Sequence, residues 1–109
     1  MIVVDVNIVA YLLIQGEHTR RARKLRQHDP DWRVPVLWRH EYLNILATYA
    51  RHGGISAKGA DKLWRQALVL FEGSEFEADM SASLALAIER KISAYDAQYA
   101  VLAHGLGTM

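Results

Sequence analysis

Three acidic residues, far apart along the chain, sit where a carboxylate can do chemistry. Asp5 ends an apolar run, Ile2-Val3-Val4-Asp5-Val6-Asn7; Glu41 opens a helical stretch, Trp38-Arg39-His40-Glu41-Tyr42-Leu43-Asn44; Asp96 opens another, Ile92-Ser93-Ala94-Tyr95-Asp96-Ala97. A carboxylate at a strand-to-helix junction lies at the mouth of an open α/β sheet, where ligands bind. Three of them converging there would repel one another, and a hard divalent cation such as Mg²⁺ or Mn²⁺ would remove the conflict. Such a cation can lower the pKa of a bound water and offset charge on a phosphodiester, so metal-dependent phosphodiester cleavage is the chemistry expected. Each acid also has an ordinary local explanation. A carboxylate in a first helical turn is favoured by the helix dipole by about 0.3–1 kcal/mol, and Ser93-x-x-Asp96 resembles a capping box. The combination carries the expectation, not any one residue.

The elements that must position these acids can be read from the pattern. Residues 2–5 read as a short buried strand, apolar and β-branched. Asn7 is a good N-cap for a buried helix Ile8–Gln15, which Gly16 ends. Helical composition resumes from His18 to His28, with Ala22 and Leu25 inward, until Asp29-Pro30-Asp31 stops it. Trp32 to Leu37 reads as a second strand in which Pro35 signals irregularity. Glu41 to His52 reads as a helix with Tyr42, Ile45, Leu46 and Tyr49 on the inner stripe and Glu41, Asn44 and Thr48 on a polar one. Gly53-Gly54 closes it and Ser56 caps the next helix, whose Ala60, Leu63, Trp64, Ala67, Leu68 and Phe71 repeat at helical spacing. Phe76-Glu77-Ala78 reads as a brief strand, Ser81–Lys91 as a helix, and a helix from Ser93 to about His104 follows. Gly107-Thr108-Met109 reads as the approach to a further strand. Strands alternating with helices give an α/β fold with a small parallel sheet, rich in helix.

The bulk properties narrow the function. The chain has 109 residues, 51% apolar and 23% charged, with no cysteine. This suits one domain, 1–109, with a modest core, and excludes disulfides and thiolate metal sites. The longest apolar run, Ile8 to Ile14, is far short of a membrane span of about 20 residues. No basic segment precedes an apolar stretch, so no secretory signal is expected and the cytoplasm is the expected location. The net charge is +1, but residues 1–65 hold eleven Lys/Arg against six Asp/Glu, and residues 66–109 hold two against six. The stretch Arg20-Arg21-Ala22-Arg23-Lys24-Leu25-Arg26 leads the basic half and would attract a polyanion. The five histidines show no metal-ligand spacing, and neither a phosphate-binding P-loop nor a nucleophile elbow is present. Trp32, Trp38 and Trp64 read as core or interface.

Taken together, Val3-Val4-Asp5-Val6-Asn7, the helix with Glu41 and Asn44, and Ile92-Ser93-Ala94-Tyr95-Asp96-Ala97 followed by Tyr99 and Ala103 resemble the PIN domain, and within it the VapC-type toxin ribonucleases. The order and spacing fit across essentially the whole chain. The resemblance implies a small parallel sheet flanked by helices, with Asp5, Glu41 and Asp96 binding Mg²⁺ or Mn²⁺ for endonucleolytic cleavage of RNA. It makes Asn7 and Asn44 polar support and Ser93 the residue that steadies the Asp96 turn. Arg20, Arg21, Arg23, Lys24 and Arg39 would draw in RNA, and a homodimer neutralised by a small antitoxin is implied. The family usually continues past Leu106-Gly107 to a strand ending near Thr-x-Asp, with a fourth acid and then a final helix. These are absent from the sequence, so the expectation is a domain truncated at its C-terminus. The alternative reading is therefore a catalytically incomplete PIN-like module that binds RNA or a protein partner without cleavage.

Overall fold

The computed structural model describes residues 1–106. Among them, strand β1 (Ile2–Val3) leads into helix α1 (Val6–Leu13) and α2 (Thr19–His28); strand β2 (Trp32–Pro35) leads into α3 (Trp38–Arg51) and α4 (Ala57–Leu70); strand β3 (Glu75–Phe76) leads into α5 (Met80–Arg90) and α6 (Ala94–Gly105). The strands lie in the order β1-β2-β3, all parallel, with Ile2 beside Trp32 and Val34 beside Glu75. The expected small, helix-rich parallel α/β fold is therefore present. The reading of Gly107-Thr108-Met109 as the approach to a strand lies outside the described residues. No helix among the described residues is long and apolar enough to cross a membrane.

Several boundaries differ from the sequence expectation, each for a local reason. Helix α1 starts at Val6 rather than Ile8, because Asp5 is extended and is itself the N-cap, its side chain accepting from the Asn7 N–H. Asn7 is thus inside the first turn. Helix α3 starts at Trp38, three residues before Glu41, with no side-chain cap at Leu37 to announce it. Strand β2 stops at Pro35, not Leu37. Val34 and Val36 N–H bond to Ser74 and Phe76 of the β3 side, so the donor that Pro35 lacks faces β1, which has already ended. Strand β3 begins at Glu75 rather than Phe76 and does not reach Ala78. Helix α5 is capped by Asp79 and ends at Lys91, whose φ of 55° is left-handed, a conformation that terminates helices. Tyr49, placed on the inner stripe by its spacing, is 46% exposed.

The core is one apolar cluster that includes Val4, Val9, Trp32, Val34, Trp38, Tyr42, Leu46 and Phe71. Its members and the apolar side chains packed on it all fall between Ile2 and Phe71. Trp38 is its centre, with ring centroids 5.0 Å from Phe71 and 5.9 Å from both Tyr42 and Trp64. Helices α5 and α6 pack mainly on each other, and α6 also touches β1 and β2.

Glu75 ties the end strand to the start of α3. Its Oε1 accepts from Trp38 Nε1 at 2.6 Å and from Arg39 Nε at 2.6 Å, and its Oε2 accepts from Arg39 Nη2 at 2.7 Å. Arg39 beside it, with Trp38, holds the Glu75 carboxyl below its ordinary pKa against the opposing effect of burial. The stabilisation is therefore present above the unfolded carboxyl's pKa and fades as pH falls through the depressed folded value. Glu75→Ala should cost about 1–3 kcal/mol at neutral pH, because the buried Trp38 N–H is left without an acceptor. Urea denaturation at neutral and at acid pH checks this. An equal loss at both would show that the carboxylate charge plays no part.

Candidate active site

All three acids lie at the N-terminal ends of helices on the side of the sheet where the strands finish. Asp5 directly follows β1 and Val4; its backbone is extended (φ −73°, ψ 153°), and Oδ1 accepts the Asn7 N–H at 2.7 Å. Glu41 lies in the first turn of α3, which follows β2 after only Val36 and Leu37. Asp96 lies in the first turn of α6, and its backbone N–H donates to the Oγ of the N-cap Ser93 at 3.0 Å. Three helix N-termini give this corner a positive backbone field that suits carboxylates and would suit a phosphate.

Glu41 is the half-buried member, while Asp5 and Asp96 are exposed. Burial raises the Glu41 pKa; a hydrogen bond from Tyr99 opposes this, and the charges of Asp5 and Asp96 add to the rise. The three carboxylates thus share one electrostatic neighbourhood. Tyr99 Oη donates to Glu41 Oε1 at 2.6 Å. Burial first, and then the Glu41 carboxylate, push the Tyr99 pKa far above its ordinary value, with a backbone hydrogen bond from Val6 working the other way. The phenol therefore stays a donor at any working pH.

A donor set of carboxylate oxygens, without thiolate or imidazole, matches Mg²⁺ or Mn²⁺ in chemistry. It is not tightly assembled: among the described residues no three His, Asp or Glu side chains are gathered closely enough to hold a metal as they stand. Tyr99 holds the most buried of the three carboxylates. Tyr99→Phe should therefore weaken Mn²⁺ binding by about 10- to 100-fold, the usual cost of losing a residue that orients a ligand. A Mn²⁺ titration by calorimetry checks this; unchanged affinity would remove Tyr99 from the site.

The supporting residues have varied settings. Asn7 and Asn44 are exposed, and the Asn44 carbonyl accepts from Thr48 Oγ1 at 2.8 Å. Arg20, Arg21, Arg23 and Lys24 are exposed on α2, and Arg23 Nη2 donates to Gln15 Oε1 at 3.2 Å. Arg39 is engaged by Glu75, so its guanidinium is already neutralised. Tyr99 had no role assigned from the sequence. The available signal was its position three residues after Asp96, which puts both on one side of α6.

The PIN domain family model matches residues 2–108. No curated protein matches the chain.

Proposed function

This chain belongs to the PIN domain family, whose members are generally nucleases, and from that premise we propose that it is a Mg²⁺- or Mn²⁺-dependent endoribonuclease, the VapC-type toxin of a toxin–antitoxin pair. The observation that carries this reading is the half-buried Glu41 carboxylate, destabilised by burial and by the charges of Asp5 and Asp96. A divalent cation is the natural remedy for that arrangement. Asp5, Glu41 and Asp96 would hold it. When bound, it would supply a water of lowered pKa and counter-charge for the phosphodiester.

The chain's own groups have definable tasks. Tyr99 keeps the Glu41 carboxylate oriented. The Asn7 N–H fixes Asp5, and Ser93 fixes the turn that presents Asp96. The N-termini of α1, α3 and α6 favour an approaching phosphate, and the exposed cations of α2 draw RNA toward the site. A homodimer has a candidate surface in Met80, Leu84 and Ile88, spaced by four along α5 and each at least 60% exposed. An antitoxin would act by covering the acidic corner.

A second reading, a PIN-like module that binds RNA or protein without cutting, is favoured by one observation: the three acids are not gathered into a ready-made metal cluster among the described residues. Incubation of the purified chain with mixed cellular RNA and Mn²⁺ or Mg²⁺, with and without EDTA, decides between the two. Discrete EDTA-sensitive cleavage supports the nuclease. A folded protein that leaves RNA intact supports the binding module.

A further inference from the structure

Helices α1 and α3 pack against each other, and each carries a stripe that begins at the acidic corner and continues away from it. On the α1 side the stripe is Asn7, Tyr11 and, just past the helix, Gln15; on α3 it is Glu41, Ile45 and Tyr49, all at four-residue spacing. A cleft of about 300 Å³ runs there, lined by Asn7, Tyr11, Gln15, His18, Ile45 and Tyr49 among others. One end of it lies beside Asp5, whose carboxylate accepts the N–H of the lining residue Asn7.

The lining has a definite chemistry. Tyr11 and His18 face one another with ring centroids 4.6 Å apart. Tyr11 is 37% and Tyr49 46% exposed, so both offer aromatic surface that the core does not use. Ile45 is half-buried. Asn7 and Gln15 supply amide donors and acceptors. The rim is pre-formed: buried Thr19 accepts from the Gly16 N–H at 3.0 Å and donates to the Ile14 carbonyl at 3.2 Å. Gly54 seats the Tyr49 ring, since a Cβ there would lie 3.0 Å from Tyr49 Cδ1. His18 is also the N-cap of α2, so the cleft ends where the exposed Arg20, Arg21, Arg23 and Lys24 begin.

We infer that this cleft is a nucleobase subsite: it takes one unstacked base of single-stranded RNA next to the phosphate that meets Asp5, Glu41 and Asp96. Its volume is at the small end of ligand sites, about 300–1,000 Å³, which admits one base and excludes a duplex. Flat aromatic and apolar walls stack a base, and amide groups at its edge read base edges. Glu17 also lines the cleft, 3.3 Å from His18 Nε2, but the four exposed cations of α2 at that end outnumber it and favour a polyanion over a peptide tail. Tyr11 and Tyr49 would then be residues that set sequence preference. The inference rests on the ribonuclease reading, and binding measured without metal separates the two.

The test uses a short single-stranded RNA carrying 2-aminopurine, titrated with the full chain in EDTA. Tyr11→Ala and Tyr49→Ala should each weaken binding by at least about fivefold and reduce the fluorescence change, as expected for loss of one stacking partner. Tyr49→Trp should restore it. Val69→Ala, an exposed residue on α4, should change neither. With Mn²⁺ and mixed RNA, both alanine variants should alter which sites are cut, whereas Asp5→Asn should stop cutting without weakening the EDTA binding. Tyrosine-dependent binding without any wild-type cleavage would keep the subsite and sink the nuclease. Metal-dependent cleavage whose site preference ignores both tyrosines would keep the nuclease and overturn the subsite. Tyrosine-dependent binding of an acidic peptide, with none of RNA, would overturn it in favour of a protein partner.

Discussion

With Asp5 replaced by asparagine, metal-dependent RNA cleavage should fall by more than about 100-fold, the upper end of what loss of a ligand's mere support costs. The fold should hardly notice. Asp5 is the N-cap of α1, its carboxylate accepting the Asn7 N–H at 2.7 Å, and asparagine caps as well as aspartate. The melting temperature of the metal-free protein should therefore move by less than about 4 °C. Alanine would confound the test, since losing the cap alone costs about 1 kcal/mol. Asp96→Asn should behave alike, because the bond that fixes its turn runs from its backbone N–H to Ser93 and survives the change. Cleavage gels with Mn²⁺, alongside melting curves with and without Mn²⁺, provide the check. Full activity, or an undiminished Mn²⁺-induced rise in melting temperature, in either variant would refute its role as a ligand.

Glu41→Gln should separate stability from function in the opposite direction. It should stop cleavage, yet make the metal-free protein more stable at neutral pH. Burial, and then the charges of Asp5 and Asp96, raise the Glu41 pKa above 4.5, with Tyr99 only partly opposing. A raised folded pKa means that the contribution of Glu41 to stability is fully present below the unfolded carboxyl's pKa and is lost as pH rises through the folded value. Glutamine carries no charge and still offers Tyr99 an acceptor. The gain should reach up to about 1 kcal/mol after allowing for the solvent that screens a half-exposed group. Urea denaturation in EDTA measures it, and the gain should shrink as pH is lowered past the carboxyl range. A variant less stable than wild type at neutral pH would mean that Glu41 is a structural residue rather than a strained functional one.

The acids were legible because each stands in a local setting the chain cannot hide: a β-branched run before Asp5, a serine three residues before Asp96, a helical stripe through Glu41. Helix starts were less legible. Asp5 and Asn7 are both good caps, and only the extended backbone at Asp5 chooses between them. Leu37 makes no side-chain cap bond, so nothing in the sequence marks the beginning of α3. Periodicity put Tyr49 inside; it stands at the open end of its stripe instead, beside Gly54. The pairs that organise the site are invisible to local pattern: Tyr99 meets Glu41 across 58 residues, and Trp38 meets Glu75 across 37. Hydrogen bonds of that span depend on how helices pack, which neither spacing nor composition encodes.

The apolar cluster that closes at Phe71 leaves the site straddling a seam. Asp5 and Glu41 stand on elements of that cluster; Asp96 and Tyr99 arrive on a helical hairpin that meets it mainly through α6, where α6 packs on β1 and β2. Such a hairpin is the kind of unit that opens below the free energy of global unfolding. Opening it would dismantle the site while most of the chain stayed folded. A cation bridging Asp5, Glu41 and Asp96 would oppose that opening in proportion to its occupancy. Loading and assembly would then be a single linked equilibrium, and the availability of free divalent ions would set how often the molecule is whole.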